Sequence, residues 1–223
     1  DVIDYFTHSA HGVLDMRDDG CPRCGANCSQ PRFDLVGNYS THVFTTRAES
    51  IIQAHNETQR LLLYLAYQAV HAPTEVPASY ITPYANLSEP RKTFAGMLSC
   101  LDEGVGNVTA ALKAKGLWDE TLLFVTADNG APTPSCGGAQ GGQNVWPFDP
   151  VGPLRGGKCS CWEGGLRGTA FVYSSLLPVP ARGRHVMDLM HAVDVMPTLI
   201  AATHGADGLA RVTSALQLRG KSL

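Results

Sequence analysis

Four polar residues of this chain are of the types that bind metal ions and anions: Asp128, Asn129, His71 and Lys158. A carboxylate next to an amide carbonyl offers the hard oxygen ligands that Ca²⁺ or Mg²⁺ takes. Histidine can act as a general acid near neutral pH, and lysine supplies a point cation for an anionic group. Together these residue types predict a site for a divalent cation and an anionic substrate.

Each of these residues also has an ordinary structural interpretation. The Asp-Asn-Gly sequence at 128–130 is a common turn, in which the side chains cap their own backbone. A lone histidine such as His71 is commonly a surface or packing residue, and Lys158 could equally be a solvated lysine. The functional interpretation therefore depends on which elements bring these side chains together.

The elements around these residues predict a shared edge of a sheet. Residues 122–126 and 61–69 are short apolar runs, typical of strands buried on both faces of a parallel sheet. Residues 94–115 between them have apolar positions at steps of three and four, which predicts an amphipathic helix. Strand, helix and strand in this order form a crossover that leaves the strands parallel. We therefore expect His71 and Asp128, at the two strand exits, to share one cleft.

Lys158 follows a long loop at residues 131–157 that is rich in Gly and Pro. Loops of this length in a compact domain are usually functional or disordered. The loop ends in Arg155-Gly156-Gly157, and glycine pairs let the backbone approach a ligand closely. Three further elements are predicted: a helix at residues 40–55, a strand at residues 169–174, and a helix within residues 185–204 that starts at Asp194 to Pro197.

Composition narrows the class of protein. The chain has 223 residues, of which 44% are hydrophobic and 17% charged, which suits one sizeable core. A net charge of -3 gives no indication of the positively charged surface that binds nucleic acid or an anionic membrane. The longest apolar run, residues 61–70, is about half the roughly 20 residues that a membrane helix needs. No signal peptide is visible, and the first residue is Asp, which favours a fragment of a longer protein.

Sequons and cysteines favour the secretory route. Seven cysteines agree with an oxidising compartment, and their odd number leaves at least one thiol free or paired elsewhere. Cys21, Cys24 and Cys28 include one zinc-like CxxC spacing, but no second pair follows, so we expect disulfides there. The five Asn-x-Ser/Thr sequons, predicted to be glycosylated, are at Asn27, Asn38, Asn56, Asn86 and Asn107. The expected location is lysosomal or extracellular.

These segments resemble the sulfatase family, and within it the arylsulfatase B-like group. FVTADNG at residues 124–130 and LRGGKCSCWEGGLRG at residues 154–168 are the most specific matches. Other matching stretches follow the family order between residues 39 and 199: YSTHVFTTRA, LYLAYQAVHAP, AGMLSCLDEGVGNVTAALKAKGL and HAVDVMPTL. The resemblance implies an α/β fold, a sulfatase- and alkaline-phosphatase-like sandwich, for which we expect a mostly parallel, incomplete central sheet.

The resemblance also implies a function and roles for the site residues. Family members hydrolyse sulfate esters with one bound Ca²⁺ and a formylglycine made from a cysteine. Asp128 and Asn129 match two of the Ca²⁺ ligands. Lys158 matches the lysine that holds the sulfate, and His71 matches the histidine that can donate to the leaving oxygen.

The sequence departs from the family pattern near its start. The formylglycine motif Cys-x-Pro-x-Arg is absent, and Cys21-Pro22-Arg23 has the wrong spacing. The paired aspartates that complete the Ca²⁺ site are absent as well, because Asp18-Asp19 comes too late in the family order. We therefore expect a partial catalytic domain over residues 1–223 that is inactive alone, with the nucleophile upstream. Its predicted parts are a loop-rich segment at 1–37, a matching core at 38–204 and an irregular tail at 205–223, with an unusual insert at 135–153.

Two alternatives to a sulfatase acting on a sulfated small molecule or glycan remain. One is an inactive extracellular module of sulfatase ancestry that binds Ca²⁺ or sulfated glycans. The other is a phosphodiesterase of the same superfamily, which would show a Thr or Ser nucleophile and a second metal site. No such ligand set is visible in the sequence, and neither a nucleic-acid partner nor a membrane span is expected.

Overall fold

The structure is a computed structural model that describes residues 4–18, 29–132 and 154–216. The chain divides into two compact units, Asp1–Leu177 and Pro178–Leu223. The predicted cysteine cluster at residues 21–28, with the sequon at Asn27, lies outside the described residues, as does the predicted insert at 135–153. The organisation of the chain as one partial catalytic domain stays a prediction.

Two long helices form the core of the first unit. They are α1 (Ser40–Ala54) and α3 (Arg91–Ala114), and both were predicted within three residues at each end. Apolar side chains at steps of four place one stripe of each helix against the other. The buried members of this interface are Ala48, Ile52, Val108 and Leu112.

A glycine lets α3 approach its neighbours closely. A Cβ at Gly104 would lie 2.7 Å from the Thr45 hydroxyl of α1 and 3.0 Å from the Tyr67 hydroxyl. Those two hydroxyls are themselves 2.8 Å apart and share a hydrogen bond. The helix pair and the segment that contains Tyr67 therefore meet at one small polar contact inside an apolar interface.

The strands form three separate pairs, not one sheet. They are β1 (Ser9–Ala10) with β2 (Val13–Leu14), β3 (Arg17–Asp18) with β4 (Gln30–Pro31), and β5 (Leu123–Thr126) with β6 (Ala170–Tyr173). Within the described residues every pair is antiparallel. The predicted mostly parallel sheet is therefore wrong for this part of the chain. An apolar run reports burial but carries no strand direction, so the sequence could not reveal the antiparallel pairing.

The predicted strand at residues 61–69 is extended but belongs to no strand pair. Its side chains alternate as in a strand: Leu61, Leu63 and Leu65 pack on the α1–α3 core, while Leu62 and Tyr64 are 74% and 89% exposed. The predicted crossover, with residues 61–69 parallel to β5, is therefore not observed. The sequence also predicted that both strands are buried on both faces. This is wrong, because one face of residues 61–69 is exposed to solvent and β5 is only half-buried.

The second unit contains one long helix, α5 (Ala192–Leu216). It begins two residues before the predicted start at Asp194 and extends past residue 204 into the tail that was predicted to be irregular. Gly205 interrupts it with a φ of 69°, a left-handed conformation that glycine adopts without strain. The Asp194 carboxylate accepts a hydrogen bond from the His191 backbone N–H just before the helix.

Short helical turns complete the described residues. Two are α-helical, α2 (Ala78–Ile81) and α4 (Glu163–Leu166), and four are 3-10 turns at Phe33–Leu35, Thr82–Tyr84, Trp118–Glu120 and Val179–Ala181. In the described part of the chain, no helix combines the length and the apolar character that crossing a membrane requires.

Candidate functional site

The imidazole of His71 and the ammonium of Lys158 are in direct contact. His71 Nε2 lies 2.8 Å from Lys158 Nζ, although the two residues are 87 positions apart in the chain. Both side chains are partly buried. The structure thus brings together the two residues that the sequence singled out for binding and protonating an anionic ester.

The partners of His71 determine where its ring proton lies. An ammonium group can only donate hydrogen bonds, so Nε2 must accept from Lys158. His71 Nδ1 lies 2.8 Å from the Ala72 carbonyl oxygen, which can only accept, so Nδ1 carries the proton. The geometry therefore selects the neutral Nδ1–H tautomer of His71.

Two buried tyrosines hold the loop that carries His71. The Tyr5 hydroxyl donates to the His71 carbonyl oxygen at 3.0 Å, and the Tyr39 hydroxyl donates to the Glu75 carbonyl oxygen at 2.8 Å. The two rings are stacked, with centroids 5.3 Å apart. Burial raises the pKa of both phenols above the ordinary 10.0, so both remain hydrogen-bond donors.

Sequence reasoning missed these two tyrosines. Tyr5 lies in the segment 1–37, which was interpreted as an irregular loop because it has no periodicity. Tyr39 lies one residue before α1, where its side chain gives no signal of a contact with residue 75. Hydrogen bonds from side chains to a distant backbone leave no spacing pattern in a sequence.

The carboxyl groups of Glu75 and Asp4 interact with each other near the end of the loop that carries His71. Glu75 Oε2 accepts from the Tyr5 backbone N–H at 3.4 Å. Burial raises the pKa of Glu75, and the nearby charge of Asp4 raises it further. Burial opposes ionisation of Asp4 too, but hydrogen bonds from Thr7 and Phe6 outweigh it and lower the pKa of Asp4. Protons therefore bind Glu75 before Asp4.

Asp128 and Asn129 follow β5, and the Asp128 carboxylate does not accept from the Gly130 N–H as it would in an Asx turn. The Gly130 N–H, which would donate to Asp128 in such a turn, instead donates to the Gly165 carbonyl oxygen at 3.0 Å. The Asn129 amide nitrogen donates to the Gly130 carbonyl oxygen at 2.9 Å, which leaves its own carbonyl oxygen free to accept. Asp128 is exposed. Both oxygen-bearing groups are thus available to a ligand.

A cluster of glycines joins the segments that carry these residues; we call Gly130, Gly156, Gly157, Gly164 and Gly165 the glycine junction. A Cβ at Gly130 would collide with the Gly164 carbonyl oxygen, and one at Gly164 with the Gly156 carbonyl oxygen. A Cβ at Gly165 would collide with the carbonyl oxygen of Gly157. Only glycine permits this backbone-to-backbone packing.

The glycine junction also places Lys158 beside the segment that follows Asp128. The Lys158 backbone N–H donates to the Ala131 carbonyl oxygen at 3.0 Å. Ala131 is three residues after Asp128, a stretch of chain that spans at most about 11 Å. His71 and Lys158 are thus in contact, and the Lys158 backbone pairs with the segment that follows Asp128 and Asn129, a connection that the sequence did not reveal. That all four residues form one site stays a prediction.

Asp128 and Asn129 are the candidate ligands of a metal ion. In residues 4–18, 29–132 and 154–216, no three His, Cys, Asp or Glu side chains are grouped so that they could hold a metal ion. The Asp128 carboxylate and the Asn129 carbonyl oxygen have the chemistry that Ca²⁺ prefers, but Ca²⁺ takes about six to eight oxygen ligands. These two residues fit the ion as a partial ligand set.

Comparison with known proteins places the chain in a family. The profile of the sulfatase family matches residues 3–206. Arylsulfatase J of Mus musculus is 41% identical over 170 residues, which cover 76% of this chain and 26% of that protein. Steryl-sulfatase of Rattus norvegicus is 29% identical over 170 residues, covering 75% of this chain and 27% of that protein. The chain spans about a quarter of the length of these relatives.

Solved structures give a consistent result. Ps i-CgsB, crystallised in complex with k-i-k-neocarrahexaose, matches with a TM-score of 0.68 and 29% identity, covering 84% of this chain and 38% of that one. The sulfatase yidJ from Bacteroides fragilis matches with a TM-score of 0.59 and 18% identity, covering 84% and 43%, which supports the fold alone. On the family profile and these relatives together, the chain belongs to the sulfatase family.

Proposed function

We propose that the protein containing this chain is a sulfuric ester hydrolase of the arylsulfatase B-like group, acting on sulfate esters of glycans or small molecules. The observation that carries this proposal is the 2.8 Å contact between His71 Nε2 and Lys158 Nζ, because the resemblance implies that both residues act on the sulfate group. Similarity to proteins that act on or bind glycans supports a glycan substrate. They include an N-acetylgalactosamine-6-sulfatase of Homo sapiens, 31% identical over 133 residues, and Ps i-CgsB in complex with a neocarrahexaose.

Lys158 has the chemistry to bind the sulfate group. Its ammonium has three N–H donors, of which one is directed at His71. The others are available for the sulfuryl oxygens, where negative charge grows as the ester bond breaks. A fixed cation at that point lowers the barrier because its attraction is strongest in the transition state.

His71 has the chemistry to protonate the leaving oxygen. In the neutral tautomer the proton is on Nδ1, and the contact with Lys158 keeps Nε2 free of a proton. When an anion draws the ammonium towards itself, Nε2 becomes able to take up a proton from solvent. The resulting imidazolium donates that proton to the departing alkoxide.

A bound Ca²⁺ and the formylglycine complete the proposed site. Asp128 and Asn129 would supply two of the oxygen ligands, and Ca²⁺ when bound would neutralise charge on the sulfuryl oxygens. The formylglycine is expected from a Cys-x-Pro-x-Arg motif outside these 223 residues, because the chain has none. We propose that the chain by itself is inactive for this reason.

The proposed location is the secretory pathway, with a lysosomal or extracellular destination. Four of the five predicted glycosylation sites lie in described residues, and all four asparagines are exposed: Asn38, Asn56, Asn86 and Asn107. At Asn56 the side-chain oxygen accepts from both the backbone N–H and the hydroxyl of Thr58, at 3.1 and 2.9 Å, so the sequon turn is formed. Cys159 is disulfide-bonded, while Cys100 and Cys161 are free thiols.

The test is sulfate release by the full-length protein from a chromogenic aryl sulfate, with added Ca²⁺ and after chelation. We expect Ca²⁺-dependent release from the aryl sulfate and much slower hydrolysis of the matching aryl phosphate diester. Binding of a sulfated oligosaccharide without any sulfate release would instead identify an inactive binding module. Faster hydrolysis of the phosphate diester would favour a phosphodiesterase.

A further inference from the structure

Arg155 and Trp162, which flank Lys158 in the sequence, form a stacked pair. The guanidinium carbon of Arg155 lies 3.6 Å from the centroid of the Trp162 ring, well within the range of a cation–π contact. Arg155 is exposed, and Trp162 is 51% exposed. The Trp162 ring therefore orients an exposed guanidinium, and this guanidinium belongs to a residue three positions before the lysine that contacts His71.

The stacking leaves the hydrogen-bond donors of Arg155 unused. In the described part of the chain, no carboxylate and no other acceptor pairs with its guanidinium, whereas the nearby Arg167 bonds to Glu163 at 3.2 Å. A guanidinium stacked on an aromatic ring uses its flat face, so its N–H groups remain directed outward in the plane. Such a group is ready to bind a carboxylate or sulfate with two parallel hydrogen bonds.

The backbone of the pair is fixed by the glycine junction. The Arg155 carbonyl oxygen accepts from the Gly164 N–H at 2.8 Å, and the Trp162 carbonyl oxygen accepts from the Gly165 N–H at 2.8 Å. Arg155 is three residues before Lys158, so the two backbones are at most about 11 Å apart. A guanidinium anchored this way loses little conformational freedom when it binds an anion.

We infer that Arg155, oriented by Trp162, is a specificity-determining residue that binds a second anionic group of the substrate, a sulfate or carboxylate beside the ester that is cleaved. This inference rests on the proposed function. In a chain of net charge -3, neither Arg155 nor Lys158 contacts a carboxylate within the described residues. Two cations three residues apart in the sequence suit a substrate with at least two anionic groups, such as a multiply sulfated glycan.

The test compares two oligosaccharide substrates that differ by one sulfate group on the sugar next to the cleaved ester. In the full-length protein, Arg155→Gln should raise KM about tenfold for the disulfated substrate and change it less than about twofold for the monosulfated one. kcat should stay within about twofold for both, because Arg155 is not placed at the reacting atoms. Arg155→Lys keeps the charge but loses the two-pronged geometry, and Trp162→Leu loses the support, so both should fall between wild type and Arg155→Gln.

The matched control is Arg60→Gln, which removes an exposed arginine eleven residues before His71. It should leave both KM values unchanged. Equal KM changes for the two substrates in Arg155→Gln, or no change at all, would overturn the inference. Sulfate release from the monosulfated substrate by the wild type tests the proposed function separately. If the wild type releases none, calorimetric titration of the disulfated oligosaccharide decides, and equal affinities of wild type and Arg155→Gln would overturn the inference.

Discussion

The Tyr5 hydroxyl donates a 3.0 Å hydrogen bond to the backbone carbonyl of His71, 66 residues further along the chain. Tyr5 is fully buried, so the bond is shielded from water. It fixes the backbone of the residue whose imidazole contacts Lys158. The position of the proposed acid therefore depends on a residue near the beginning of the chain.

Replacing Tyr5 by Phe should weaken both stability and activity. The change removes one buried hydrogen bond, so the free energy of unfolding should fall by about 1 kcal/mol. Because His71 loses a support, kcat for the aryl sulfate should fall while KM changes little. The control is Tyr64→Phe, since the Tyr64 ring is 89% exposed and its loss of a hydroxyl should change neither quantity. Equal behaviour of the two variants would contradict a positioning role for Tyr5.

Replacing Glu75 by Gln should stabilise the protein in a pH-dependent manner. Burial and the charge of Asp4 raise the pKa of Glu75 above its ordinary 4.5, so the folded state holds this proton more tightly than the unfolded state does. Stability is then lost as pH rises from 4.5 through the folded-state pKa. A glutamine side chain at position 75 would still accept a hydrogen bond from the Tyr5 N–H but would carry no charge. The melting temperature of the variant should match wild type at about pH 4 and exceed it at about pH 7. A constant difference across this range would exclude the raised pKa.

Replacing Gly164 by Ala should disrupt the site. The new Cβ would collide with the Gly156 carbonyl oxygen and lie 2.8 Å from that of Arg155, so the glycine junction must open. We expect a loss of stability of about 1–3 kcal/mol and loss of activity. The control is Gly106→Ala in α3, where a Cβ meets nothing within 4 Å and should raise stability by up to about 1 kcal/mol. Thermal unfolding and sulfate release measure both, and an unaffected Gly164→Ala would contradict the described packing.

Replacing Asp128 by Ala should remove one ligand of the proposed Ca²⁺ site. The full-length variant should bind Ca²⁺ at least about tenfold more weakly and release no measurable sulfate. The measurement is calorimetric titration of the metal together with the aryl sulfate assay. The control is Asp102→Ala, which removes an exposed carboxylate from α3. Full activity of Asp128→Ala would remove this residue from the site.

The sequence predicted the helices because their stability depends on a spacing that can be read directly. Apolar residues at steps of three and four give residues 94–115 one apolar face, which is stabilised only when it is buried. In the structure that face packs against α1. The pattern at residues 122–126 likewise predicted β5. Strand direction could not be predicted in the same way, because an apolar run looks alike in parallel and antiparallel pairs.

The sequence brought the candidate site residues together by a route that the structure does not contain. The crossover argument brought His71 and Asp128 to one edge of a parallel sheet, yet residues 61–69 pair with no strand in the described chain. Instead, the backbone bond from Lys158 to Ala131 and the glycine junction connect the Lys158 segment to the one that follows Asp128, and the side-chain contact connects Lys158 to His71. Tyr5 was not predicted, because contacts between distant, non-periodic segments arise only from the packed fold.

We propose that Lys158 and His71 act together on a sulfate ester. Steady-state hydrolysis of a chromogenic aryl sulfate by the full-length protein carrying Lys158→Gln tests this directly. We predict that kcat falls by about 100- to 1,000-fold, because a cation at the developing charge is removed. The matched control Lys92→Gln, which breaks only an ion pair with Glu89 at 3.1 Å, should retain full activity. An unchanged kcat in Lys158→Gln would contradict the account.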